Sequence, residues 1–184
     1  MSELASKSQL QMSFVRWALL TVTLIMFIGF VMSFISNSGN DNRWYSALDK
    51  PYWTPPGWVF PVVWTSLYIL LGLALAMILN ARGARGRGVA ISLFVAQMAL
   101  NYIWSPTFFA AHQVSAALGV IIIMLTLTIA TTFAFARIRK VAAWMLVPYM
   151  VWLSLALLLN YQIDAANPDA ETMVPPAASA TFRL

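Results

Sequence analysis

The sequence predicts an all-α membrane protein, a five-transmembrane-helix bundle with a long structured loop between helices 1 and 2. Composition is the first reason. Of 184 residues, 61% are hydrophobic and 9% charged, where a soluble domain carries roughly 25% charged residues. The second is the presence of five apolar runs, 17–35, 58–79, 89–109, 114–136 and 141–163, with no Asp, Glu, Lys, Arg or His in any of them. Each has about the 17–25 residues a helix needs to cross ~30 Å of hydrocarbon, where helical hydrogen bonding satisfies the backbone. The third is the uneven spacing of the runs, since one connection is much longer than the rest.

Residues 1–16 are polar and weakly basic and read as a cytoplasmic N-terminal tail. The run at 17–35 is longer than the ~7–15 residues of a signal-peptide core and has no small-x-small cleavage site after it, so it is expected to stay attached. Eight of the eleven basic residues (Lys7, Arg16, Arg82, Arg85, Arg87, Arg137, Arg139 and Lys140) fall on one side of a five-span topology. By the positive-inside rule that side is the cytoplasm, with the C-terminus outside. The basic loops are therefore read as topology signals rather than a nucleic-acid surface.

The connection of about 36–57 opens on the turn-forming SNSGNDN. Residues 44–68 then hold four tryptophans and four prolines in 25 positions. Pro51, Pro55 and Pro56 lower the entropy lost on ordering, and a stiff loop of this kind can act as a lid. Trp44, Tyr45, Tyr52, Trp53 and Trp58 would give it an apolar underside, or, for Trp58 above all, an interfacial aromatic belt.

The second span starts after PPG, with Pro61 in its first turn, where a missing donor costs least. Trp64 and Tyr68 share a face at i and i+4, as helix packing or as a binding wall. The third span carries Gln97, Asn101 and Ser105 at steps of four, beside Trp104 and Phe108. Lipid cannot satisfy those polar groups, so they face other helices or a cavity. Pro106 bends or ends this helix. In the fifth span, Trp152, Ala156 and Asn160 recur at steps of four, and 164–184 reads as a flexible C-terminal tail. Gly29 with Ser33 and Gly72 with Ala76 permit close helix approach or dimerisation.

Several chemistries find no support in the chain. It has no cysteine and one histidine, His112, in a short loop, so no metal constellation is expected. Charge-free spans argue against a proton relay or an ion-coupled pump.

WYSALDKPYWTPPGWVFPVVWTSLY, QMALNYIWSPTFF and VPYMVWLSLALLLNYQI closely resemble motifs of the TspO/MBR family, the tryptophan-rich sensory proteins, mitochondrial translocator proteins and peripheral-type benzodiazepine receptors. The resemblance covers about residues 15–165. It implies a homodimeric five-helix protein of the bacterial cell membrane, acting as a receptor or transport protein. Its pocket under the 1–2 loop would bind porphyrins such as protoporphyrin IX and haem, and sterols in some members. The family's pocket residues fall on Tyr45, Trp64, Tyr68, Ser105, Phe108, Trp152 and Ala156, with Asn101 a further wall position and Trp53 in the lid. No cofactor is required on this reading, porphyrin or haem being the ligand, and no catalytic residue is assigned. The family also implies an alternative, light-dependent porphyrin degradation by the pocket tryptophans. Tyr161 is followed by QIDAA rather than by Lys or Arg, so sterol recognition of the type linked to that helix end is not expected.

Overall fold

Hydropathy alone requires five buried hydrogen-bonded rods, and the computed structural model, which describes residues 7–174, supplies them. The helices are α1 (Lys7–Ile35), α2 (Arg43–Ala47), α3 (Val59–Asn80), α4 (Arg87–Ser105), α5 (Val114–Ala136) and α6 (Lys140–Ala166). A π-helical turn, Pro106–Ala110, follows α4, and a 3-10 turn, Ala170–Thr172, follows α6. All but α2 are long and apolar enough to cross a membrane. The protein is a multi-pass membrane protein built entirely of helices among its described residues.

Around the bundle, α1 packs on α3, α3 on α6, α6 on α5, α5 on α4, and α4 back on α1, while α3 also touches α4 across the ring. The first pair is close because each helix sets a glycine against a residue of the other. A Cβ on Gly72 would lie 2.6 Å from Val22 Cγ2, and one on Gly29 would run into the Tyr68 ring. The two glycines thus serve packing within the chain. Thr21 Oγ1 adds a bond to the Gly72 carbonyl at 2.7 Å.

The chain breakers act where expected. SNSGNDN ends α1 in a Schellman turn: Ser38 N–H donates to Ser33 O at 3.0 Å and Asn37 N–H to Phe34 O at 3.1 Å, with Asn37 left-handed at φ 49°. Pro106 has no amide hydrogen to continue the α ladder. The helix widens there into the π turn, in which Ala111 N–H reaches Pro106 O at 2.9 Å. At the opposite end of the bundle, Arg87 donates to the carbonyls of Ile78 and Leu79 at 3.0 and 2.9 Å. A guanidinium read as a topology signal therefore also caps α3.

Two boundaries differ from the sequence reading. α1 begins at Lys7, ahead of the apolar run at Trp17, because polar residues continue a helix once nucleation is complete. α6 continues to Ala166, and the chain after it folds back under the loop. The remainder of the tail, from residue 175, lies outside the described residues.

Candidate functional site

The 36–57 connection becomes ordered through a short helix of its own. Asn42 caps α2, its Oδ1 accepting from Tyr45 N–H at 3.1 Å and its Nδ2 donating to Phe109 O at 3.2 Å. Lys50 closes the other end of α2, donating to the carbonyls of Tyr45 and Leu48 at 2.7 Å each. Its ammonium also lies 4.8 Å over the Tyr45 ring. Burial lowers the Lys50 pKa, opposed by the neighbouring Asp49 carboxylate, and burial raises that of the Tyr45 phenol. Asn42→Ala is expected to cost about 1 kcal/mol of local lid stability, seen as faster amide exchange at Tyr45. Unchanged protection there would show that the cap does not hold the helix.

The lid turns its largest rings inward. Trp44 is 1% exposed, edge-on to Phe108 at 5.5 Å and stacked on His112 at 4.3 Å. Tyr45 meets Phe109 edge-on at 5.2 Å. Trp44, Tyr45, Phe108 and Phe109 form an apolar cluster with Leu48, Val114, Ala117, Ile163 and Ala170. Trp53 is half-buried, its indole N–H donating to Gln162 Oε1 at 2.9 Å. By contrast, Tyr52 and Trp58 are exposed.

Within the bundle, α3 and α6 face each other across an aromatic wall. Trp64 stands 5.3 Å from Tyr68, 6.4 Å from Tyr149 and 6.5 Å from Trp152, and Trp152 meets Phe60 at 5.8 Å. Both indoles are half-buried, so part of each ring is uncovered. Ala156 packs against the same cluster.

A polar thread crosses the bundle behind this wall. Tyr68 O–H donates to Asn101 Oδ1 at 3.1 Å, Asn101 Nδ2 to Tyr149 O–H at 2.9 Å, and Tyr149 O–H to Met124 Sδ at 3.3 Å. Four helices are joined through one buried amide. Each bond contributes roughly 0.6–2 kcal/mol in a membrane interior. Two donors close to the thread have no partner among the described residues: Gln97 Nε2, one turn before Asn101, and Trp104 Nε1, one turn after it.

The residues expected from the sequence divide into two layers. Tyr45, Phe108 and Trp53 belong to the lid and its seat, while Trp64, Tyr68, Asn101, Trp152 and Ala156 lie below it in the bundle. Ser105 sits at the root of the lid, its hydroxyl paired with that of Ser38. Trp104 touches both layers and Tyr149 completes the thread, yet sequence reasoning left both out of the site. Their signals were Trp104 at i+3 from Asn101 and Tyr149 at i−3 from Trp152, a spacing that shares a helix face.

Two open clefts lie elsewhere. One, of about 480 Å³, flanks the lid between Asp41, Arg43, Trp44, Phe109 and His112. The other, of about 520 Å³, touches Gln11, Phe14, Val15 and Asn80. Neither is lined by Trp64, Tyr68, Asn101 or Trp152, whose side chains rest on one another.

Residues 19–166 match the family model described as the TspO/MBR family. The chain is 39% identical over 126 residues to the tryptophan-rich sensory protein of Cereibacter sphaeroides, covering 68% of this chain and 78% of that one. It is 41% identical over 126 residues to the tryptophan-rich protein TspO of Chlorobaculum tepidum, covering 68% and 80%. It is also 37% identical over 131 residues to the human translocator protein, covering 70% and 78%. A five-span helical bundle with an ordered aromatic lid, matched by this model over nearly all its spans, belongs to the TspO/MBR family.

Proposed function

We propose that the protein is a membrane receptor or transport protein that holds a porphyrin, such as protoporphyrin IX or haem, or a similar flat hydrophobic molecule, under the 1–2 loop. The observation that carries this reading is the pair Trp64 and Trp152, two half-buried indoles on facing helices. A conjugated macrocycle gains from stacking on tryptophan, and mostly apolar sites with a few polar groups suit such ligands. Rotation of the two indoles would admit the ring between α3 and α6, with Asn101 and Tyr68 available to its polar edge. The names of relatives, sensory protein and translocator, fit a protein that registers or moves a ligand. The basic loops support a cytoplasmic N-terminus.

Replacing Trp64 and Trp152 together by alanine is expected to weaken protoporphyrin IX binding at least tenfold, on the scale of ~0.5–1.5 kcal/mol per aromatic contact plus lost burial. Quenching of intrinsic fluorescence measures it. An affinity equal to that of the parent protein would remove this site from consideration.

A further inference from the structure

The 1–2 loop is fastened at two places that differ in kind. Its root is held near α1 and α4, through the Ser38 to Ser105 hydroxyl pair and the Asn42 bond to Phe109. The same root contains the two positive φ values of the loop, Asn37 at 49° and Gly39 at 121°. From Arg43 to Gly57, among the described residues, every long-range hydrogen bond ends on residues 162–170. Trp44 Nε1 donates to Ala170 O at 2.8 Å and Trp53 Nε1 to Gln162 Oε1 at 2.9 Å. Between them Asn167 forms a two-bond clasp: its Oδ1 accepts from Asp49 N–H at 2.8 Å and its Nδ2 donates to Asp49 O at 2.9 Å.

The receiving end is itself rigid. Asn167 is buried and terminates α6, with its Nδ2 also donating to Ile163 O at 2.8 Å. Ala170 is 2% exposed and packs in the lid's own apolar cluster. A segment whose composition suggests a loose tail is therefore built into the lid's far edge.

We propose that Asn167 to Ala170, with Gln162, form a latch that sets how often the lid opens over the aromatic wall and so how fast a hydrophobic ligand enters and leaves. The proposal rests on the reading that the ligand lies beneath the lid. Asn167 and Gln162 are positioning residues, holding the lid without touching the ligand. On this proposal the latch is made with the site empty or filled, so weakening it raises the entry and exit rates together and leaves the equilibrium nearly unchanged.

The chain has no cysteine, so a single Leu48→Cys, on the lid's buried underside, reports opening directly. In the full-length protein in lipid nanodiscs, Asn167→Ala is expected to raise the maleimide labelling rate at that cysteine roughly tenfold, the effect of one to two lost buried hydrogen bonds. Gln162→Met, which leaves the helix end untouched, is expected to raise it by a smaller factor. Stopped-flow quenching by protoporphyrin IX should show both rate constants rising by similar factors, with Kd within about twofold. Unchanged labelling in both variants would overturn the latch. So would a weaker Kd with an unchanged rate of entry, which marks lost ligand contact rather than gating. Faster labelling with no porphyrin binding to any of the proteins would uphold the latch and sink the ligand reading instead.

Discussion

Gly72→Ala is expected to lower the melting temperature of the purified protein by roughly 5–10 °C, the effect of overpacking a close helix contact. The added Cβ would lie 2.6 Å from Val22 Cγ2, 2.7 Å from Val22 Cα and 2.9 Å from Val22 N. A side chain can rotate away, but two of those atoms belong to the backbone of α1. The helices must therefore separate, and the bond from Thr21 to the Gly72 carbonyl lengthens with them. α1 has α3 as its principal neighbour, so little else holds it. Gly119→Ala on α5 is the control, because a Cβ there meets nothing within 4 Å. A loss of less than a degree at Gly72, or an equal loss at Gly119, would show that the closest approach of α1 and α3 is not where this geometry puts it.

Asn101→Leu is expected to destabilise the bundle by about 2–4 kcal/mol, since it leaves Tyr68 without its partner and Tyr149 with only the Met124 sulfur. Lipid offers neither hydroxyl a substitute. Tyr149→Phe should cost less, about 1 kcal/mol, because Asn101 then keeps its bond to Tyr68. The two changes share one thread, so they should not add. Tyr149→Phe made in the Asn101→Leu background is expected to cost nearly nothing. Denaturation in mixed micelles measures all four proteins. Strict additivity would mean that the two residues stabilise the fold separately and that the thread is a coincidence of placement.

Much of the architecture was legible because it depends on quantities summed along one segment. Apolar length alone marks the five spans, and Pro106 ends the α ladder wherever the helix points, since it lacks a donor. SNSGNDN signals a turn through side chains that compete with the backbone. Trp64 with Tyr68 and Trp152 with Ala156 were paired from helical periodicity, and in the structure each pair joins the same cluster.

What stayed hidden depends on partners far away in the chain. Glycine at 29 and 72 permits close approach to any helix, and only the packed bundle assigns that approach to α1 and α3 rather than to a second copy. The residues after α6 have the composition of a flexible tail, yet Asp49 and Asn167 stand 118 positions apart and satisfy each other. Tyr149, flanked by Pro148 and Met150 in an apolar stretch, carries no local mark of its bond to Asn101. Hydropathy and backbone propensity act within a few residues and settle which segments are rods and where they end. Buried donors must find acceptors wherever the closed chain brings them, and that long-range matching is what fastens the lid and threads the bundle.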